Sequence, residues 1–150
     1  IVDLLRNDLG RVCETGSIEV NQLFTIESFS NVHHMVSDVS GRLPPGKDAL
    51  DLLNSCYPGG SITGAPKLAA MEIIQKVEHE ARRVYCGTVF YLGADGSFDS
   101  SITIRSLLWE TDVLSCWAGG AIVADSDCEQ EYQECFDKID NIFNALAKFY

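Results

Sequence analysis

Three charged side chains near the end of the chain have a spacing that suits metal and anion chemistry. Glu131, Glu134 and Lys138 are three and four residues apart, so they stand on one side of a predicted helix. Paired carboxylates suit a hard cation such as Mg²⁺, and a lysine one turn away could hold an anion that the metal also binds. The same spacing is typical of an exposed helix face, where Glu134 and Lys138 form an ordinary i,i+4 pair.

A glycine-rich segment from Pro58 to Lys67 is a second candidate for anion binding, and a helical pattern begins directly after it. Glycine lets a backbone approach a ligand closely, and a helix start supplies unpaired N–H groups. The spacing matches neither the phosphate-loop nor the dinucleotide fingerprint, so by itself it favours a surface turn. Ser61 is the candidate ligand in this segment, and Thr63 is the candidate helix cap.

Three more side chains with useful chemistry lie in predicted strands. His34 could take part in proton transfer as a neutral imidazole, although a hydrogen-bonded core histidine is the more common case. Arg105 follows a half-buried pattern, where a bidentate carboxylate is its natural partner; a structural ion pair explains it equally well. Tyr91 could donate a hydroxyl or simply pack in the core.

The composition limits the classes of protein to consider. A chain of 150 residues that is 46% hydrophobic and 22% charged fits one globular domain, and no apolar run approaches the ~20 residues of a membrane span. A net charge of −11 argues against nucleic acid. The six cysteines lack zinc-site spacing, which predicts mostly buried, reduced thiols in a cytoplasmic protein. The chain begins without Met inside a helical pattern, so we expect a fragment.

The periodicity predicts an α+β fold, with one antiparallel sheet and helices packed on it. Helices are predicted around Leu4–Val12, at Ala49–Cys56, after the glycine-rich segment, and from a capping box at Ser126 to the C-terminus, where the core stripe would be Tyr132, Phe136, Ile139, Phe143 and Leu146. Strands are predicted at Ser17–Val20, Leu23–Phe29, Val32–Val39, Arg83–Leu92, Phe98–Trp109 and Val113–Ala118. The last three are expected to form a meander around a turn at Ala94–Ser97.

Six stretches, taken in order, resemble the chorismate-utilising enzymes. They are Ile1–Leu9, Val32–Ser37, Gly59–Lys67, Asp99–Arg105, Ala118–Gly120 and Glu131-x-x-Glu134-x-x-x-Lys138. The resemblance spans residues 1–150 and implies the C-terminal portion of a chorismate-binding domain. The glycine-rich segment and Ser-Ile-Thr-Ile-Arg look most like aminodeoxychorismate synthase component I. We interpret the polar cluster Asp3-x-x-Arg6-Asn-Asp8 as a hydrogen-bond network on a helix surface.

The resemblance implies a metal at the carboxylate pair. Glu134 would be a direct Mg²⁺ ligand, and Glu131 would support the metal directly or through water. The ring carboxylate of chorismate would bind to this metal, with Lys138 and Ser61 assisting.

The other end of the substrate would meet a different group of residues. By the same resemblance, Arg105, Tyr91 and the backbone amides around Gly119 and Gly120 would bind the enolpyruvyl carboxylate. His34 would lie beside the ring, near the reacting carbons.

The implied reaction replaces the C4 hydroxyl of chorismate with ammonia from a glutamine amidotransferase partner. The chain matches about the C-terminal third of a family member, and further glutamates and a lysine nucleophile would lie upstream, so we expect the isolated chain to be inactive. One alternative is an anthranilate synthase component, which also eliminates pyruvate. Another is a non-catalytic acidic domain that binds a partner or small ligand. Exposed apolar surface on a fragment would favour a homo-oligomer.

Overall fold

A computed structural model describes residues 1–29 and 33–149, so the predicted strand start at Val32 and the last residue of the chain lie outside the described residues. The chain divides into two compact units, Ile1–His79 with Gly93–Phe98 and Glu80–Leu92 with Asp99–Tyr150. The α+β class is confirmed. Strands in the described ranges pair as three two-stranded sheets.

The first unit contains the glycine-rich segment. Its elements are α1 (Val2–Gly10), β1 (Glu19–Ser28), β2 (His33–Ser40), α2 (Ala49–Cys56), a short 3₁₀ turn (Gly60–Ile62) and α3 (Lys67–Val77). The predicted break between two strands before Phe29 is wrong, because β1 is continuous and pairs antiparallel with β2. Asn21, which resembles a turn residue, instead donates from Nδ2 to Asp38 at 3.1 Å and to Ser40 at 3.0 Å across the ladder.

Helix α2 begins and ends at the predicted residues because its N-terminus is strongly capped. Asp48 Oδ1 accepts from the N–H groups of Leu50 at 2.9 Å and Asp51 at 3.1 Å. The Asp51 carboxylate in turn accepts a hydrogen bond from the Asp48 N–H, which completes a capping box. The hydrogen bond from Lys47 and that from the Asp48 backbone lower the pKa of Asp51, so this cap is charged at neutral pH.

A buried ion pair joins the start of α3 to α1. Lys67 Nζ donates to both carboxylate oxygens of Asp8 at 2.8 Å, and only 2% of the Asp8 side chain is exposed. Ser55 Oγ donates to the Asp8 carbonyl at 2.7 Å. Our prediction that the cluster forms a helix-surface network is therefore wrong for Asp8, although Arg6 and Asp3 do pair on the surface at 3.3 Å.

The glycine-rich segment packs against α1 at the same place. A Cβ on Gly60 would lie 3.0 Å from Leu4 Cβ, so the 3₁₀ turn approaches α1 as closely as a missing side chain permits. Thr63 does not cap α3, contrary to prediction, because its hydroxyl donates to the Gly59 carbonyl at 2.9 Å. Pro66 occupies the N-cap position of α3 without a side-chain bond.

The second unit contains the last helix and, apart from residues 93–98, the strands that follow α3. The elements after α3 are β3 (Thr88–Leu92), β4 (Phe98–Ile102), β5 (Leu107–Glu110), β6 (Val113–Cys116) and α4 (Cys128–Leu146). The predicted three-stranded meander is wrong: β3 pairs with β4, and β5 pairs with β6. The turn at 94–97 belongs to the first unit and is confirmed, since Gly93 N–H donates to the Ser97 carbonyl at 2.7 Å and Gly96 adopts φ 85°.

Residues with left-handed backbone explain why β3 starts later than predicted and why the long strand predicted from Phe98 is interrupted. Arg83 at φ 51° and Cys86 at φ 62° form turns, so β3 begins five residues later than predicted, at Thr88. Arg105 has φ 50°, which interrupts the long strand predicted from Phe98. Arg105 therefore lies in a bend between β4 and β5, and our prediction that it lies in a half-buried strand is wrong.

Helix α4 differs from prediction at its cap and in its covered face. Asp127, not Ser126, is the N-cap, and its carboxylate accepts from Gln130 N–H at 3.1 Å. Ile139 is buried as predicted, whereas Tyr132, Phe136 and Phe143 of the predicted core stripe are exposed. The more covered face instead includes Glu131, Cys135, Lys138, Ile139, Ile142 and Leu146.

Many large apolar side chains are exposed to solvent in both units. Within the described residues, only Asp8, Gly60, Cys86 and Ile139 fall in the buried class. The accessible surface is 11308 Å², against ~7,500 Å² for a typical folded chain of this mass. Surfaces of this kind favour association. No helix in the described ranges has both the length and the apolar character needed to cross a membrane.

The six cysteines all lie in the described ranges and carry thiols, not disulfides. Cys86 is buried, but Cys128 is exposed, so the prediction of buried thiols is wrong for Cys128. Burial, and after it the neighbouring Asp8 carboxylate, raises the pKa of the Cys56 thiol. Cys56 therefore stays protonated at neutral pH.

We expect Lys67→Met to lower the free energy of unfolding by about 3–5 kcal/mol, because it leaves the Asp8 carboxylate buried without a cation. The measurement is urea denaturation followed by circular dichroism. Lys76→Met, in the last turn of the same helix, is the matched control and should change stability by at most about 0.5 kcal/mol. Equal stabilities for the two variants would contradict a supporting role for the ion pair.

Candidate functional site

The carboxylate of Glu131 lies against the backbone of Gly120. Glu131 Oε2 would be 2.9 Å from a Cβ on Gly120. Glu131 Oε1 accepts from Ser126 Oγ at 2.5 Å. Oε2 is buried and has no hydrogen-bond partner within the described part of the chain. One oxygen of this carboxylate is therefore satisfied, and the other lacks a donor within the described residues.

Glu134 and Lys138 complete the cluster next to Glu131. Lys138 Nζ forms an ion pair with Glu134 Oε1 and donates to the Gly119 carbonyl at 3.1 Å. Glu134 Oε2 and Lys138 Nζ would each lie 3.7 Å from a Cβ on Gly120. The structure therefore brings five of the sequence-predicted site residues together, on α4 and in the segment after β6.

Tyr85 also reaches this place, and sequence reasoning missed it. Its hydroxyl would lie 2.8 Å from a Cβ on Gly119. Burial, followed by the influence of Cys86, raises the pKa of Tyr85 to about 12, so the phenol keeps its proton and can donate to an anion. Its position in a turn before β3 gave no periodic signal that could have identified it.

The chemistry of the two carboxylates suits a cation. A buried carboxylate oxygen without a partner is rare in folded proteins, and a cation would satisfy Glu131 Oε2. Among residues 1–29 and 33–149, His, Cys, Asp and Glu side chains form no cluster of three or more that could hold a metal. Two carboxylates suit Mg²⁺, which usually keeps several waters, better than zinc, which takes four protein ligands in structural sites.

Two other sequence-predicted residues of this unit lie on its surface. Tyr91, on β3, is 59% exposed, and Arg105 is exposed in its bend. In the described residues, neither side chain forms a hydrogen bond or ion pair with the carboxylate cluster. Their assignment to substrate binding stays a prediction.

The remaining two candidates belong to the first unit. Ser61 is exposed within the 3₁₀ turn. His34 is also exposed, pairs with Glu27 across the β1–β2 ladder, and its ring meets that of Phe29 edge-on at 5.5 Å. His34 is thus accessible to a ligand, and its predicted role stays a prediction.

A cavity of about 860 Å³ lies elsewhere in the second unit, between β5–β6 and the end of α4. Leu107, Leu114 and Phe143 line it, and Arg83 pairs with Glu110 at 2.9 Å on its edge. None of the sequence-predicted site residues lines this cavity. It is therefore separate from the carboxylate cluster.

Comparison with known proteins identifies similar sequences over almost the whole chain. The sequence model of a family described as chorismate binding enzyme matches residues 1–144. Aminodeoxychorismate synthase component 1 of Klebsiella aerogenes is 55% identical over 146 residues, which cover 97% of this chain and 32% of that protein. Anthranilate synthase component 1 of Aquifex aeolicus is 44% identical, with 97% and 30% covered.

A solved structure also matches. The crystal structure of anthranilate synthase component I from Streptococcus pneumoniae has a TM-score of 0.82 and 43% identity, covering 91% of this chain and 32% of its own. The chain thus spans about a third of the length of the relatives that it matches.

Tyr85 provides a test of the packing beside Gly119. Its folded-state pKa of about 12 lies above the usual value of about 10, so the unfolded chain loses this proton first. Stability from this group is complete below about pH 10 and is lost as the pH rises toward about 12. Absorbance titration of tyrosinate should show one phenol that ionises last, and Tyr85→Phe should remove it. Tyr91→Phe is the control and should retain the phenol that ionises last. If Tyr85→Phe also retains it, the packing of Tyr85 against Gly119 is contradicted.

Proposed function

Because the chain belongs to the chorismate binding enzyme family, we propose that it forms part of a site that aminates chorismate at C4. The product would be 4-amino-4-deoxychorismate, a precursor of para-aminobenzoate in folate biosynthesis. The observation that carries this proposal is the carboxylate pair at Gly120, where Glu131 keeps one buried oxygen without a partner. A dianionic substrate needs a cation there, because the chain has a net charge of −11.

Glu131 and Glu134 would hold Mg²⁺ in this proposal. When bound, the ion would neutralise the ring carboxylate of chorismate and act as a Lewis acid while hydroxide leaves the ring. Lys138 contributes a second positive charge, and the Gly119 carbonyl fixes its ammonium group at 3.1 Å. Its ion pair with Glu134 also prevents the two carboxylates from facing each other uncompensated.

The enolpyruvyl carboxylate would bind beside the same glycines. Tyr85 keeps a protonated hydroxyl beside Gly119, and the N–H groups of the two glycines would be backbone donors to it. Arg105 and Tyr91 remain proposed contributors to this half of the site. Ser61 would assist at the ring carboxylate, and His34 would take part in proton transfer near the ring.

Sequence similarity favours amination alone over amination with loss of pyruvate. The aminodeoxychorismate synthase relative is 55% identical to this chain, whereas the anthranilate synthase relative is 44% identical. The words "component 1" in the relative's name indicate a second component. We propose that this partner is a glutamine amidotransferase that supplies ammonia, and that both proteins act in the cytoplasm.

A chimera tests this proposal. The chain replaces the corresponding 146 residues of the Klebsiella aerogenes relative, and the purified protein receives chorismate, an ammonium salt and Mg²⁺. We expect a product that retains the enolpyruvyl group, identified by mass spectrometry, and no turnover by the isolated chain. Glu134→Gln should lower kcat/KM by about a hundredfold or more, because it weakens the metal site. Glu129→Gln, in the first turn of the same helix, is the matched control and should retain activity.

Three results would count against the proposal. Formation of anthranilate and pyruvate would favour the alternative enzyme. A folded chimera without turnover would contradict the assignment of this chain to the reaction. Turnover by the isolated chain would contradict the expectation that residues outside it are required.

A further inference from the structure

We propose that Ser126 is a positioning residue that directs one oxygen of Glu131 toward the metal. The inference rests on the proposed function, since it concerns the same carboxylate. Ser126 was expected to cap α4, but Asp127 performs that task. The Ser126 hydroxyl is therefore not needed by the helix and serves the Glu131 side chain instead.

The hydrogen-bond pattern fixes the direction of the hydroxyl proton. Ser126 Oγ accepts from the Val123 N–H at 3.0 Å, which occupies a lone pair. Its single proton then goes to Glu131 Oε1, at 2.5 Å. A hydroxyl that donates to a carboxylate at this distance forms a strong, charge-assisted bond. Ser126 thus holds Oε1 in one position.

The segment before α4 holds Ser126 itself in place. The Ser126 N–H donates to the Val123 carbonyl at 3.1 Å, so Val123 and Ser126 bond reciprocally, once through the backbone and once through the hydroxyl. On the other side, the Glu131 N–H donates to the Asp127 carbonyl at 3.0 Å. Both ends of the Ser126–Glu131 contact are therefore attached to fixed backbone.

Because Ser126 fixes the position of Glu131 Oε1, it also fixes the position of Oε2. With Oε1 bound to Ser126, the second oxygen points at Gly120, where it is buried without a partner in the described part of the chain. A half-turn of the carboxylate would only exchange its two equivalent oxygens, so one oxygen would still bond to Ser126 and the other would still face Gly120. The hydroxyl therefore keeps a bare oxygen directed at the position that a cation would take, next to Glu134. Hydrogen-bonded partners of this kind are known to orient metal-ligating carboxylates.

Metal affinity tests the role of Ser126, with Mn²⁺ alone as the probe. Free Mn²⁺ is measured by electron paramagnetic resonance in titrations of the chimera, in which the relative supplies the residues outside this chain. We expect Ser126→Ala to raise the Kd for Mn²⁺ about tenfold. Ser126→Thr keeps the hydroxyl and should restore the wild-type Kd. Ser106→Ala is the matched control, because Ser106 Oγ donates to the Ile104 carbonyl at 3.0 Å within the same unit. This control should bind Mn²⁺ as the wild type does.

A second measurement separates positioning from folding. The carbon-13 signal of the Glu131 carboxyl, recorded in chelator, should shift in Ser126→Ala and not in Ser106→Ala, while the melting temperatures of the two variants stay similar. If the wild type binds Mn²⁺ and Ser126→Ala binds it equally well, the positioning role is wrong and the proposed function stands. If the wild type binds no Mn²⁺, the proposed metal site fails and the role of Ser126 fails with it.

Discussion

The ends of two side chains lie so close to the backbone at Gly119 and Gly120 that a Cβ at either position would displace them, and this constraint organises the candidate site. A Cβ on Gly119 would lie 2.8 Å from the Tyr85 hydroxyl, and a Cβ on Gly120 would lie 2.9 Å from Glu131 Oε2. Because both positions lack a Cβ, a phenol and a carboxylate reach the same short segment. Lys138 uses this segment too, through the Gly119 carbonyl.

The charge of the cluster indicates what kind of ligand it suits. Two carboxylates, Glu131 and Glu134, face one ammonium group, Lys138, so the cluster alone carries excess negative charge. A divalent cation would reverse that sign locally and would attract a carboxylate ligand to the cluster. The buried Asp8–Lys67 pair differs in this respect, because each Asp8 oxygen is already satisfied by Lys67 at 2.8 Å. That pair is suited to holding α3 against α1 and not to binding a ligand.

Elements whose sequence signals are local were predicted correctly. The predictions failed where a contact between residues far apart in the chain determines the structure. Helix α2 was predicted to the residue because Asp48 caps it from within the same turn. The hydroxyls of Thr63 and Ser126 were both assigned to caps, since propensity cannot show that one bonds to Gly59 and the other to Glu131. Left-handed backbone at Arg105 gave no sequence signal, so one strand was predicted where there are two.

The same distinction applies to the candidate site. Glu131, Glu134 and Lys138 were identified by helical spacing, and the structure brings them together with the two glycines. Tyr85 was missed because its approach to Gly119 depends on tertiary packing before β3. Asp8 was assigned to a surface because its partner, Lys67, lies 59 residues away.

We propose that Glu131 Oε2 and a carboxylate oxygen of Glu134 bind the metal ion. Crystals of the protein soaked in Mn²⁺ and measured at the manganese absorption edge test this directly. We expect an anomalous peak about 2.0–2.3 Å from an oxygen of each carboxylate, beside Gly120, with Ser126 still bonded to the other Glu131 oxygen. A Glu131 carboxylate with both oxygens hydrogen-bonded to protein, and no peak beside Gly120, would contradict it.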